Sequence, residues 1–201
     1  MCYNDTISGV YLIDYIQNHI KDSVETKQAL LADSKLLSII EQAADAITET
    51  YKQGGKVLTA GNGGSAADAQ HIAAEFVSKF LYDRRALNAI ALTTNSSILT
   101  SVGNDYSHKH VFARQIQAYG NQGDVFIAIS TSGNSENVLL AINEAKKYGV
   151  TIIGLTGSKP SKMDELCDYL IKVPSDKTPI IQEAHIMVGH IICALVEREL
   201  M

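Results

Sequence analysis

The sequence predicts an α/β fold, a doubly wound parallel sheet preceded by a helical N-terminal extension. Most of five short apolar runs are continuous rather than alternating, the pattern of strands covered on both faces. Stretches with helical periodicity separate most of them, as in a chain that takes turns between strand and helix. The first 54 residues differ, showing helical spacing and no strand-like run. With 201 residues the chain is expected to form one domain over 1–201, with 1–54 as the extension.

The elements follow in order. Val10, Leu12, Ile13, Ile16 and Ile20 recur at helical spacing, and Leu36, Ile40, Ala43, Ala44 and Ile47 do so again. Gly54-Gly55 then ends the helical pattern. Strands are expected at 56–61 (KVLTAG), 87–93 (LNAIALT), 124–130 (DVFIAIS), 151–157 (TIIGLTG) and 169–174 (YLIKVP). Helices are expected at about 65–82, 108–119 and 135–148, with a final one at about 179–199. No repeat or low-complexity tract interrupts the chain.

Composition narrows the function. A content of 46% hydrophobic and 19% charged residues excludes intrinsic disorder. Runs such as VFIAI and TIIGL are far shorter than the ~18 residues a membrane helix needs, and no secretory leader is expected. A cytoplasmic protein with no membrane partner is expected. The net charge is −5, and Lys146-Lys147 and Arg84-Arg85 are the longest basic runs, so no nucleic-acid partner is expected. Cys2, Cys167 and Cys193 match neither a disulfide framework nor a zinc-knuckle spacing and are expected to be reduced thiols.

In doubly wound folds ligands bind beyond the carboxyl ends of the strands, so the loops there are the place to look. The first strand runs into GNGGSAADA, where Gly61, Gly63 and Gly64 permit a tight turn and Ser65 is expected to cap the next helix. Gly61, Gly63 and Ala66 also satisfy a dinucleotide fingerprint. The second strand, however, ends in Thr93 and Thr94 where a nicotinamide site wants an acid, and no Walker lysine follows. The third strand runs into STSGNSENV, with hydroxyls at Ser130, Thr131, Ser132 and Ser135, the last expected to cap a helix. Hydroxyls, amides and a helix dipole together suit a phosphate, although the same residues also make ordinary turns.

His71 and Glu75 are four apart, on one face of the helix after the glycine loop. Their apolar neighbours leave two readings open: a buried hydrogen-bonded pair, or a metal or acid–base site. The last helix carries Gln182, Glu183, His185 and His190. His185 and His190 do not share a face, and Gln182 lies about 12 Å along the helix from His190. Those two reach one ion only near full stretch, from an irregular helix start, or from a second subunit. His108 and His110 read as surface residues.

Taken in this order, GGKVL, GNGGSAADAQHIAAE, VGNDY, GDVFIAISTSGNSENV, LTG and IQEAHIMVGHIICALVE resemble the sugar isomerase (SIS) domain family over about 54–197. STSGNS marks only the wider family. The H-x-x-x-E after GNGGS, with Q-E-x-H and a second His five residues later, marks the members that isomerise a heptose phosphate. The resemblance implies three layers around a five-stranded parallel sheet, and a homotetramer with active sites at subunit contacts. The implied activity converts sedoheptulose 7-phosphate to D-glycero-D-manno-heptose 7-phosphate, opening nucleotide-activated heptose synthesis for lipopolysaccharide core or capsule. It further implies one zinc per subunit on His71, Glu75, Gln182 and His190, with Glu75 and His190 as the acid–base pair. Substrate contacts are implied at Asn62, Gly63, Gly64, Ser65, Glu75, Asn104, Asp105, Ser130, Thr131, Ser132, Ser135 and Gln182. Two positions depart from the pattern, Ile180 and Lys79, where members often carry arginine. Rival readings are a non-catalytic relative that binds a replication initiator, and an isomerase for pentose or amino-sugar phosphates. The complete set of His71, Glu75, Gln182 and His190 argues for the heptose enzyme.

Overall fold

A computed structural model describes residues 9–201. Cys2 and the side chain of Val10 lie outside what is described. The chain opens with two helices, α1 (Gly9–Ala32) and α2 (Ser34–Lys52). Asp33 separates them and caps α2 by accepting from the Lys35 and Leu36 amides, both at 3.1 Å. Gly54, with φ of +79°, then turns the chain out of α2, where the paired glycines predict a break.

From there strand and helix alternate. The elements are β1 (Val57–Ala60), α3 (Gly64–Val77), β2 (Ala89–Ala91), α4 (Ser96–Asp105), α5 (Val111–Tyr119), β3 (Val125–Ile129), α6 (Glu136–Lys147), β4 (Thr151–Thr156), β5 (Tyr169–Lys172) and α7 (Thr178–Glu199). All five strands are parallel, in the order β2-β1-β3-β4-β5. Five of the expected runs are thus five strands, and the doubly wound sheet is the one the sequence predicts.

Strand side chains alternate between two buried faces. Val57, Val125, Ile127, Ile129, Ile153, Leu155 and Ile171 pack against α2, α3 and α7. Leu58, Ala60, Phe126, Ala128 and Ile152 face α5 and α6. Both faces being covered is why the strand runs are continuously apolar. The packing also places α2 inside the three layers: its Leu36, Ile40, Ala43, Ala44 and Ile47 are buried on the sheet. Helix α1 reaches this core with Leu30 and is tied to α7 where Ser23 Oγ donates to Glu183 Oε1 at 2.7 Å. Leu12, Ile13, Ile16 and Ile20 on α1 stay exposed.

Several boundaries differ from expectation. Helix α3 ends at Val77 rather than near 82, because Arg84 folds back onto its last carbonyls. Strand β2 keeps three residues of the expected seven, being an edge strand with one neighbour. The helix expected at 108–119 splits into a 3₁₀ turn at His108–His110 followed by α5. Helix α4 has no counterpart in the sequence expectations; it buries no side chain fully and starts on the Asn95 cap. Helix α7 alone among the described residues is long and apolar enough to cross a membrane, yet half of that stretch is buried inside the fold.

Candidate active site

The order of the sheet fixes where a site can form. The chain leaves β1 towards one edge and crosses to β3 on the other side, so the winding direction reverses between these two strands. Loops beyond their carboxyl ends diverge and leave a crevice. Those loops are GNGGS and STSGNS.

In the first loop Gly63 takes φ of +56° and stands in the cap position, so α3 begins at Gly64. Ser65, expected as the cap, is instead buried in the first turn. Asn62 and Asn137 exchange amide hydrogen bonds of 2.9 and 2.8 Å, joining the loop to the first turn of α6. Asn137 was not among the sequence candidates, since nothing in its spacing separates it from a surface asparagine.

In the second loop Ser135 stands at the cap position of α6, but its hydroxyl does not bond the helix amides. It bonds Ser130 Oγ at 2.9 Å, and Ser132 Oγ lies 3.5 Å from Ser130 Oγ. The first-turn amides of α6 therefore keep no side-chain cap among the described residues, which leaves a helix N-terminus beside three hydroxyls. Gly133, at φ of +63°, is fixed by contact: a Cβ there would lie 2.3 Å from Ser161 Oγ. Thr131 and Ser132 line a crevice of about 260 Å³ with Asn134, Gly157 and Lys159. A larger cavity of about 410 Å³, beside Tyr51, Arg84 and Leu200, contains none of the candidate residues.

The third part lies where α3 meets α7. A Cβ on Gly189 would stand 2.8 Å from Ile72 Cδ1, so the helices approach closely only because residue 189 is glycine. On the adjoining residues, one before Ile72 and one after Gly189, His71 Nε2 and His190 Nε2 are 2.9 Å apart. His71 Nε2 also lies 3.0 Å from Glu75 Oε1, and all three groups offer a ligand atom within 4.8 Å of one another. Of the two readings open for His71 and Glu75, burial is not the one found, since the His71 side chain is 49% exposed. Two imidazole nitrogens at this distance need a proton or a cation between them. The edge of a tetrahedral zinc–nitrogen site is about 3.3 Å, and two histidines with one glutamate form a known catalytic donor set. The residues fit a divalent metal.

Remaining candidates fall in different places. Gln182 packs its amide against Gly64, where a Cβ would lie 2.6 Å from Nε2, so it stands over the glycine loop. Eight residues along the continuous α7 separate it from His190. Asn104 and Asp105 are exposed at the end of α4 and bond each other at 2.9 Å. His108 is exposed and His110 is half-buried, within 3.0 Å of Ser107 Oγ through Nδ1. His185 belongs to the core: its Nε2–H donates to the Thr156 carbonyl at 3.1 Å, and burial pulls its pKa down to about 4. Ile180 is 1% exposed, so its side chain faces the interior, whereas Lys79 is exposed. Asp68, one turn before His71, was not foreseen. Its Oδ2 is buried without a partner among the described residues, and burial raises its pKa despite His71 nearby.

Residues 20–157 match the model of the SIS domain. Phosphoheptose isomerase of Aneurinibacillus thermoaerophilus is 59% identical over 92% of this chain and 93% of its own. The solved phosphoheptose isomerase of Neisseria gonorrhoeae is 40% identical with a TM-score of 0.87, covering 93% of this chain and 99% of its own. That of Francisella tularensis is 36% identical with a TM-score of 0.89, covering 92% and 98%.

Proposed function

The chain belongs to the SIS domain family, and we propose that it isomerises sedoheptulose 7-phosphate to D-glycero-D-manno-heptose 7-phosphate. The observation that carries this reading is the meeting of His71, Glu75 and His190 across α3 and α7. The reaction moves a proton from C1 to C2 of the sugar through an enediol. Glu75 takes the C1 proton, and His190 protonates C2 or carries the hydroxyl proton between the two oxygens. Ser130, Ser132, Ser135 and the open amides of α6 hold the 7-phosphate, with Thr131 beside them. Binding energy gathered there positions the reacting end against Glu75. Asn62, Gly63, Gly64 and Ser65, with Gln182 packed on them, and Asn104 and Asp105 hold the sugar chain.

Zinc is the metal in this reading, held by His71, Glu75 and His190, with Gln182 of this chain or a neighbouring subunit as a further donor. Bound there it would supply Lewis-acid polarisation of a sugar oxygen. A homotetramer belongs to the same reading, supported by the uncovered apolar residues of α1. A cytoplasmic location is supported by Cys167 and Cys193, free thiols whose pKa burial pushes up to about 12. The product then enters heptose synthesis for lipopolysaccharide core or capsule.

Proton NMR of the purified protein with sedoheptulose 7-phosphate tests the proposal. An aldoheptose phosphate signal that disappears after chelation and returns with zinc is expected. A folded, metal-loaded protein that leaves the ketose unchanged overturns it.

A further inference from the structure

Between α3 and β2 the chain makes eleven residues of irregular path, 78–88, that neither the substrate loops nor the metal donors account for. A buried ion pair organises the segment. Glu197 of α7 is fully buried, and its carboxylate accepts from the backbone amides of Phe80, Leu81 and Tyr82 at 3.0, 2.6 and 3.1 Å. Arg84, with its side chain only 8% exposed, approaches the same carboxylate through Nε at 2.8 Å. Burial alone would raise the Glu197 pKa, but the three amides and Arg84 outweigh it and hold the group below its ordinary value. Arg84 also donates to the Glu75 and Phe76 carbonyls, both at 2.9 Å, occupying the open end of α3.

A buried arginine–carboxylate pair is weak evidence for stability, because desolvation offsets the attraction. What the pair does visibly is fix one ring. Phe80, whose amide Glu197 holds, lays its ring on His190 with centroids 5.4 Å apart and planes 29° from parallel. His190 also meets His71, at a centroid distance of 5.0 Å. The imidazole thus touches both its fellow donor and an aromatic plate, and the plate is anchored to the same helix, α7, that carries the imidazole.

Resting on the proposed function, we infer that Phe80, held in place by Glu197 and Arg84, is a positioning residue that sets the orientation of His190 towards His71 and Glu75. It acts through the imidazole. Groups that orient a metal-binding histidine typically change metal affinity or activity by about 10–100-fold.

Phe80→Leu and Phe80→Met remove the plate, and Phe80→Tyr restores an aromatic face. For each, two quantities are read on the soluble, folded fraction: binding of Co²⁺, followed by its visible absorption, and kcat and KM with sedoheptulose 7-phosphate. In both removal variants Co²⁺ affinity is expected to fall about tenfold, with kcat down by a similar factor and KM within about twofold, since the phosphate loop is untouched. Phe80→Tyr is expected to recover both. A role confined to packing would lower the unfolding temperature and leave Co²⁺ affinity and kcat within about twofold, and that result overturns the inference. Failure of the parent protein to turn over the sugar would sink the assigned reaction alone, because the Co²⁺ titration reads the positioning role without it.

Discussion

Glu75 and His185 show how differently two ionisable side chains can be used within one fold. Glu75 is partly exposed beside two imidazoles, where a carboxylate can exchange protons. Glu75→Gln keeps the shape and removes the base, so it is expected to fold and bind the sugar phosphate while turnover falls at least about a hundredfold. Calorimetric binding beside the NMR assay checks both halves, and near-parent activity would reject Glu75 as the base. His185, by contrast, is neutral in the core with a pKa lowered to about 4. The unfolded chain binds this proton from about pH 6.5 downwards and the native state does not. The native state therefore carries no penalty from this group above that range, and loses stability as pH falls towards 4. That lowering corresponds to about 3 kcal/mol at the acid end. His185→Gln, which can still donate to Thr156, is expected to flatten the acid side of the stability curve; chemical denaturation at pH 7 and pH 5 compares the two. At this scale His71 and Glu75 were legible because helical spacing alone puts them on one face. Their meeting with His190 depends on how two helices cross, and Asn137 matters only through a loop 75 residues away, which no local pattern reports.

The crossing of α3 and α7 sets the spacing of the candidate donors. Gly189 faces Ile72, and the imidazoles sit on the adjoining residues. Gly189→Ala forces a methyl into a 2.8 Å contact, an overpacking that typically costs about 1–3 kcal/mol. The variant is expected to unfold at lower temperature and to bind Co²⁺ more weakly. Adding Ile72→Val, which shortens the opposing side chain, should recover part of both, and a double-mutant cycle measures the coupling. If the single variant binds Co²⁺ as the parent does, the helix approach does not govern the donor spacing. Among elements, the strands and α7 were legible because burial on both sides leaves dense apolar runs. Helix α4 was not, since it buries no side chain fully and offers no strong apolar period. The end of α3 was not either, because Arg84 stops it from seven residues beyond its last turn.

At the scale of the whole molecule, the doubly wound order brings loops from β1 and β3 to one crevice, and α7, from the far end of the sequence, packs Gln182 against Gly64 and His190 against His71. That architecture was legible because alternating strand and helix signals admit few arrangements. The role of α1 was not, since periodicity announces an apolar face without saying what meets it. Ile13, Ile16 and Ile20 are 55%, 51% and 58% exposed, more apolar surface than an isolated chain keeps without a use. Ile16→Glu with Ile20→Glu is expected to yield a smaller particle in sedimentation velocity, with the chain fold intact by circular dichroism; an unchanged mass would clear α1 of any part in assembly. The same face makes dilution an experimental variable. If subunits join through α1 by mass action, folded protein is drawn towards the assembled form at high concentration and released from it at low. Heat resistance should then climb with protein concentration in the parent and stay flat in the double variant.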